Sequence, residues 1–202
     1  MAIVVVGGQS REVGKTSVVA GLIAALPQHN WTAFKITQFG HGQCSLNGEP
    51  CSCATEDRCW AVTEDRDLQG KSDTSRFLAA GAKRAYWVRT EQGRLTEALP
   101  ALHRRIGESE NSIFESNSII DLIQPALYIT VLDPSVEDFK ASARRLLERA
   151  DAVLLRGNES AGSESAGRAR IFIIEPPQYV TGEVVEFVGN HLKKCAVKPV
   201  AR

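Results

Sequence analysis

The chain has 202 residues, 24 lysines and arginines against 24 aspartates and glutamates, and five cysteines. Zero net charge with interspersed acids and bases gives no broad basic face, which disfavours nucleic acid as a partner. No apolar run approaches the roughly 18 residues of a membrane span, and no signal sequence precedes the first strand, so we expect a cytoplasmic protein without a membrane partner. The length predicts a single domain over residues 1–202.

An apolar strand, a polar loop and an apolar helix open the chain. Residues 4–6 are three valines, paired glycines follow, and a polar loop then ends in Gly14-Lys15-Thr16. The apolar segment over residues 18–26 predicts a helix. Backbone N–H groups of such a loop and the helix N-terminus favour phosphate. In this arrangement the lysine reaches the β- and γ-phosphates, and the threonine hydroxyl binds Mg²⁺.

The loop is one residue longer than the usual G-x-x-x-x-G-K-[ST] pattern of a P-loop. Gln9 stands at the first glycine position and Gly8 precedes it. A glycine turn that happens to precede Gly-Lys-Thr is the alternative, but the strand before and the helix after favour the P-loop. The predicted nucleotide contacts are Gly8, Gln9, Ser10, Arg11, Glu12, Val13, Gly14, Lys15, Thr16 and Ser17.

The segment from Gly8 to Thr16 resembles the P-loop of dethiobiotin synthetase. That family has the same loop length and the same Glu-Val pair, here Glu12-Val13, before Gly-Lys-Thr. The resemblance implies a three-layer P-loop NTPase fold that binds ATP and Mg²⁺ and phosphorylates an anionic small molecule. Ser10 stands where a dimer-forming subclass of P-loop proteins has an extra lysine, so that subclass is not supported. By analogy with sites completed across two subunits, we expect a homodimer.

A second strand is predicted over residues 31–36, with Lys35 near its carboxyl end. Ligands of open α/β sheets bind beyond the carboxyl ends of the strands, so Lys35 lies at the functional edge. It either holds an anionic substrate or phosphate or is an ordinary surface lysine. Dethiobiotin synthetase has a substrate-contacting lysine at the end of this strand, and the resemblance favours the first role, although the proline that follows there is Ile36 here.

Residues from about 37 to 71 are polar, rich in glycine and cysteine, and without periodicity, which predicts a long loop insertion. The segment contains Cys44, Cys51, Cys53 and Cys59. Grouped thiolates can bind Zn²⁺ or an iron–sulfur cluster, although this spacing matches no standard motif. A disulfide or redox-active pair and unrelated free thiols are the alternatives.

Ser72 is the predicted N-cap of a helix that ends near Gly81. The segment resembles MobB-type proteins (molybdopterin-guanine dinucleotide biosynthesis protein B), where Gly-Lys-Asp-Ser/Thr opens a helix that closes with Ala-Gly-Ala. Here Ser72 is inserted before the acid, Asp73. Dethiobiotin synthetase also has an aspartate at the start of this helix, which helps to hold Mg²⁺. The resemblance makes Asp73 a predicted Mg²⁺ ligand, against the alternative of a partner for the helix dipole.

A short apolar strand over residues 111–115 ends in an acid, Glu115, followed by Ser116. Walker-B-type carboxylates occupy this place and bind Mg²⁺ directly or through water. Both families have Glu-Gly here, so this chain keeps the acid and departs from the glycine. The predicted Mg²⁺ ligands are Thr16, Asp73 and Glu115, and the predicted catalytic residues are Lys15, Lys35 and Glu115.

The rest of the chain continues the alternation of strands and helices. Strands are predicted over residues 84–89, 127–132, 150–155 and 171–174, and helices over residues 95–106, after Ser135, and over residues 181–194. The alternation predicts an α/β fold with a mostly parallel sheet of about seven strands and helices on both faces. Residues 156–159 lack the Asn-Lys-x-Asp motif of related GTPases, which favours ATP, and residues 157–169 predict a Gly/Ser-rich loop.

Three functions follow from these patterns. The first is a dethiobiotin synthetase-like ATP-dependent enzyme, in which an anionic molecule near Lys35 attacks the γ-phosphate. The second is a MobB-like nucleotide-binding accessory protein for cofactor or metal-centre biosynthesis, which acts with a partner protein and carries Zn²⁺ or an Fe–S cluster on the cysteine-rich loop. The third is an NTPase regulated by reversible disulfides.

Overall fold

The computed structural model describes residues 1–40, 59–137, 139, 141–157 and 168–196. The strands are β1 Ala2–Gly8, β2 Trp31–Phe39, β3 Trp60–Asp65, β4 Arg84–Glu91, β5 Asn111–Glu115, β6 Leu127–Leu132, β7 Ala152–Arg156 and β8 Arg170–Ile174. The α-helices are α1 Lys15–Ala25, α2 Asp73–Ala79, α3 Leu95–Gly107, α4 Ala141–Leu146 and α5 Gly182–Ala196. Short 3₁₀ helices cover Pro27–His29, Ser118–Asp121 and Leu147–Arg149.

The strands form one sheet in the order β3-β4-β2-β5-β1-β6-β7-β8. Every neighbouring pair is parallel except β3 and β4, which are antiparallel. The predicted α/β fold with a mostly parallel sheet is confirmed. The sequence prediction missed β3, which lies inside the segment expected to be a loop. All six side chains of β3 are partly buried or exposed, so this edge strand lacks a clear apolar alternation.

Helices cover both faces of the sheet. Alternate residues of a strand point to opposite faces. Val4 and Val6 pack in a core with α1 and α5, whereas Val5 packs in a second core with α3. Burial on both faces explains why β1 is an unbroken apolar run, as is typical of central parallel strands.

The register of the central strands brings their carboxyl ends to one edge. Val6 of β1 lies level with Glu115 of β5 and with Ile129 of β6, and Glu115 lies level with Lys35 of β2. The loop after β1 therefore projects from the edge that also carries Glu115 and Lys35. No helix among the described residues is long and apolar enough to cross a membrane.

Candidate functional site

The loop between β1 and α1 curls through two residues in the left-handed region, Glu12 with φ 59° and Gly14 with φ 102°. Arg11 and Glu12 are exposed at its tip, whereas Val13 is buried beneath it. In the described part of the chain, no group accepts a hydrogen bond from the backbone N–H of Arg11, Val13 or Thr16. Helix α1 has no capping side chain and no acid in its first turn. These amides and the positive end of the helix can therefore receive an anion.

Lys15 folds back over this loop. Its Nζ donates to the backbone carbonyl of Ser10 at 2.5 Å. The ammonium therefore lies over the turn of backbone whose N–H groups can bind phosphate, and its contact with the β- and γ-phosphates stays a prediction.

Three of the predicted nucleotide contacts, Gly8, Gln9 and Ser17, form hydrogen bonds with other groups of the protein. Both the N–H and the carbonyl of Gly8 are bonded to the side-chain amide of Asn117, each at 2.9 Å. The backbone N–H of Gln9 donates to Val131, and its side-chain amide bonds to the backbone of Asp133 and Val136. The hydroxyl of Ser17 accepts from Arg76.

Gly8 and Gln9 therefore anchor the start of the loop, because their N–H groups have protein acceptors, and their contact with a nucleotide stays a prediction. Gln9 stands at the usual first glycine position, and its side-chain amide reaches the loop after β6. Asn117 was missed as an anchor because its partner Gly8 lies 109 residues away. Gly7 lies under this contact, and a Cβ there would be 2.3 Å from Oδ1 of Asn117.

Four side chains from separate elements meet beside the loop. The hydroxyl of Thr16 in α1 donates to Oε2 of Glu115 at 2.8 Å. Nζ of Lys35 lies 2.5 Å from Oε1 of Glu115 and 2.7 Å from Oδ2 of Asp73. The structure thus brings together the predicted Mg²⁺ ligands Thr16, Asp73 and Glu115 and the predicted catalytic Lys35. We call these four residues the carboxylate cluster.

Within the carboxylate cluster, Lys35 and Asp73 each stabilise the charged form of the other. Burial acts to lower the pKa of Lys35, but Glu115 and Asp73 outweigh it and raise that pKa above its ordinary value. Burial acts to raise the pKa of Asp73, whereas the Lys35 charge and hydrogen bonds from Lys35 and Thr16 lower it. Lys35 and Asp73 are therefore charged at neutral pH, and the ammonium occupies the space between two carboxylates.

The donor set fits a divalent cation. Two carboxylates and a hydroxyl supply the oxygen ligands that Mg²⁺ prefers. Glu115 is buried, with 3% of its side chain exposed, whereas 34% of the Asp73 side chain is exposed. The cluster is therefore accessible from the Asp73 side.

Asp65 at the end of β3 fixes the start of α2, which carries Asp73. Its Oδ2 accepts from the hydroxyls of Ser72 at 2.9 Å, Thr74 at 2.6 Å and Ser75 at 3.0 Å. Burial opposes the shift, but these hydrogen bonds and one from the backbone of Asp67 lower the pKa of Asp65 from 3.8 to about 2. Ser72 also accepts from the Ser75 N–H, so the predicted N-cap is confirmed. Sequence reasoning missed Asp65 because it missed β3.

The segment that follows β8 packs against the P-loop. A Cβ on Gly14 would lie 2.0 Å from the ring of Tyr179, and a Cβ on Gly21 would lie 2.7 Å from Val180. Only glycine therefore fits at these two places. Tyr179 was not predicted as a neighbour of the loop. Gly14 and Gly21 are the sequence signal that another segment packs closely here.

The predicted metal site of the cysteine-rich loop falls mostly outside the described residues, because Cys44, Cys51 and Cys53 lie within residues 41–58. Cys59 is described, and its Sγ donates to Oε2 of Glu97 at 2.8 Å. This hydrogen bond raises the pKa of Cys59. Among the described residues, no group of three or more histidines, cysteines or acids is arranged to hold a metal.

Neither a known protein family nor a curated protein sequence matches the chain. Solved structures do. HypB from Helicobacter pylori in complex with nickel is 17% identical with a TM-score of 0.57, over 98% of this chain and 90% of that one. Hydrogenase maturation factor HypB from Archaeoglobus fulgidus is 12% identical with a TM-score of 0.58, over 95% and 90%.

LpxK from Aquifex aeolicus, in complex with ATP, is 18% identical with a TM-score of 0.50, over 86% of this chain. The match covers 53% of the LpxK chain, so the present chain spans about half of it. These similarities show that the chain has the P-loop NTPase fold. The narrower resemblance to dethiobiotin synthetase and MobB-type proteins stays a prediction.

Proposed function

We propose that this chain is a cytoplasmic enzyme that binds Mg²⁺ and ATP at its P-loop and transfers the γ-phosphoryl group to an anionic small molecule near Lys35. One observation carries the proposal. Thr16, Lys35, Asp73 and Glu115 come from four separate elements and are connected beside the loop, because Thr16 bonds to Glu115 and Lys35 pairs with both Glu115 and Asp73.

The loop supplies the phosphate contacts. Backbone N–H groups from Arg11 to Thr16 and the positive end of α1 hold the β- and γ-phosphates. Lys15 exchanges the Ser10 carbonyl for phosphate oxygens when its side chain rotates towards the nucleotide. The anchors at Gly8 and Gln9 keep the loop in place, so binding does not have to order it first.

The carboxylate cluster supplies the cation site and the acceptor site. Thr16, Asp73 and Glu115 would hold Mg²⁺, which supplies neutralisation of the phosphate charge when bound. Lys35 positions the anionic acceptor and stabilises negative charge that develops during transfer. Phosphoryl transfer depends mainly on positioning and on such electrostatic stabilisation.

ATP is preferred to GTP in this proposal. The sequence after β7 lacks the guanine-reading motif, and Arg156 at the end of β7 pairs with Asp133 at 2.6 Å, so it is engaged with the protein. The similarity to LpxK in complex with ATP agrees with this choice.

The first test measures binding of fluorescent ATP and GTP analogues in the presence of Mg²⁺. Lys15→Ala should weaken ATP binding by about 100-fold, because it removes charged hydrogen bonds of about 2–3 kcal/mol. Lys83→Ala, an exposed lysine after α2, is the matched control and should bind like the wild type. Tight ATP binding by Lys15→Ala would refute the site. Phosphate release that rises when one acid from a panel is added would identify the acceptor.

A second candidate is a nucleotide-dependent accessory role in assembling a metal centre, together with a partner protein. Two observations favour it: the similarity to HypB structures, one in complex with nickel and one described as a hydrogenase maturation factor, and the four cysteines between residues 44 and 59. Elemental analysis and visible spectra of the purified protein test it. Stoichiometric zinc, nickel or iron that disappears in a triple Cys44, Cys51 and Cys53→Ser variant would favour this role over the synthetase. Light scattering of the same samples checks the proposed homodimer.

A further inference from the structure

A row of side chains continues from Lys35 along the same face of the sheet. In the parallel pairing of β2 and β4, Lys35 lies level with Trp87, and Thr37 lies level with Arg89. Residues two apart in a strand share a face, and level partners in neighbouring strands point the same way. Lys35, Thr37, Trp87 and Arg89 therefore line one face towards the carboxyl ends of the strands.

Arg89 is a half-buried cation that no carboxylate of the described residues pairs with. Its Nε is buried without an acceptor, and Nη2 donates to Thr63 at 3.3 Å. The nearest acid along its own strand, Glu91, is engaged with Arg94 at 3.5 Å. By contrast, Arg84 at the amino end of the same strand lies 3.9 Å from Glu64 and 3.5 Å from Glu108.

Trp87 holds the Arg89 guanidinium in place. The guanidinium carbon lies 4.7 Å from the centre of the Trp87 ring, which is cation–π geometry. The indole Nε1 donates to the hydroxyl of Thr37 at 3.0 Å and so fixes the ring. The cation is thus oriented by an aromatic face and a hydroxyl. Its remaining N–H groups keep the planar fork that binds carboxylate or phosphate by two hydrogen bonds.

We infer that Arg89 binds a second anionic group of the acceptor substrate. The inference rests on the proposed function, in which Lys35 binds the first. With a rise of about 3.4 Å per residue and about 4.8 Å between strands, the Cα atoms of Lys35 and Arg89 are about 8 Å apart. The acceptor class is therefore a small molecule with two anionic groups separated by several bonds, such as a dicarboxylate or a phosphorylated acid.

Isothermal titration calorimetry with linear dicarboxylates of four to nine carbons, and with monocarboxylates of equal length, tests the inference. The titrations are made with Mg²⁺ and a non-hydrolysable ATP analogue bound. In the wild type, dicarboxylates of an optimal length should bind about tenfold or more tightly than the matched monocarboxylates, because Arg89 adds a charged contact. Arg89→Ala should abolish this preference, and Arg89→Lys should keep only part of it, since an ammonium cannot form the two-bond fork.

Arg84→Ala is the matched control and should keep the full dicarboxylate preference. Arg89→Gln, which removes the charge but keeps a polar side chain longer than that of alanine, serves if Arg89→Ala fails to fold, as judged by its thermal unfolding. A wild type without any preference for dicarboxylates, or a preference that survives in the Arg89 variants, would overturn the inference. Failure of the proposed function would look different: the ATP analogue itself would not bind, and the dicarboxylate series would then be repeated on the nucleotide-free protein.

Discussion

Polar and charged side chains lie on both sides of the P-loop, but they differ in how far they are already paired with other protein groups. On the side of β6 and β7, Gln9 bonds to the backbone after β6, and Asp133 accepts from Ser135 and pairs with Arg156. We call Gln9, Asp133, Ser135 and Arg156 the anchor network. On the side of β5 and β2 lies the carboxylate cluster, in which one ammonium faces two carboxylates.

The two sides differ in whether their carboxylates are accessible to a ligand. Asp133 is 5% exposed, and its oxygens already accept from the N–H and hydroxyl of Ser135 and from Arg156. The carboxylate cluster carries two negative charges against one positive charge and is open at Asp73. One side therefore holds the loop, and the other retains the charge and the access that a cation requires. Four variants test this division, from the largest expected effect to the smallest.

Glu115→Gln should have the largest effect, because it removes the buried charge of the carboxylate cluster. We expect phosphate release to fall by about 100-fold or more, in the range found when one electrostatic contact to the transferring group is lost. Binding of the ATP analogue in the absence of Mg²⁺ should change much less, since the loop amides are untouched. Glu110→Gln, at an exposed contact with Asn30, is the control. Equal losses of binding and of phosphate release would contradict a role in catalysis.

Asp133→Asn breaks the anchor network and should destabilise the protein by about 2–3 kcal/mol, because it leaves Arg156 without its partner. Chemical denaturation measures this change. Since the anchor network is closed, Mg²⁺ should not restore the lost stability. Restoration by Mg²⁺ would indicate that Asp133 belongs to a cation site and that the two sides are not distinct.

Lys35→Met leaves two carboxylates facing each other without a cation between them. The variant should lose stability in chelator, and Mg²⁺ should raise its melting temperature by about 2–4 °C more than it raises that of the wild type. Thermal unfolding with and without Mg²⁺ gives the comparison, and Lys83→Met should behave like the wild type. An identical Mg²⁺ response in Lys35→Met and the wild type would argue against a cation site between Asp73 and Glu115.

Asp65→Asn should have the smallest effect on stability. Asp65 lies outside the carboxylate cluster and holds the start of α2, which carries Asp73. The folded-state pKa of Asp65 is about 2, below the ordinary 3.8, so its contribution is complete above the ordinary value and is lost as pH falls towards 2. We expect the variant to be less stable by about 1–2 kcal/mol at pH 7, after allowance for solvent screening.

The difference in unfolding free energy between the wild type and Asp65→Asn should shrink as the pH falls from 4 to 2. Asp67→Asn on the same turn is the control, because its carboxylate accepts from one backbone N–H, that of Gln69. A difference that stays constant across this pH range would mean that the charge of Asp65 does not hold the start of α2.

Much of the candidate site could be predicted because its elements carry local signals. The P-loop is marked by contiguous features: the valine run, the Gly-Lys-Thr sequence and the apolar helix. The start of α2 is marked by Ser72, which accepts a hydrogen bond from the N–H group three residues later. Asp73 and Glu115 were placed by their positions at the ends of predicted elements, with the support of a family resemblance. The antiparallel edge strand β3 was missed because its exposed sides erase the alternation that marks a strand.

The sequence by itself determined the order of strands and helices apart from β3, the P-loop and the polar residues at the ends of β2 and β5, because periodicity and capping act over a few residues. Only the tertiary structure decided which of those residues touch. Lys35 and Glu115 are 80 residues apart, and Gln9 and Asp133 are 124 apart, and no local pattern encodes either pair. The register between parallel strands sets both contacts. It thereby decides that Asp133 pairs with protein groups and that Glu115 lies in the carboxylate cluster.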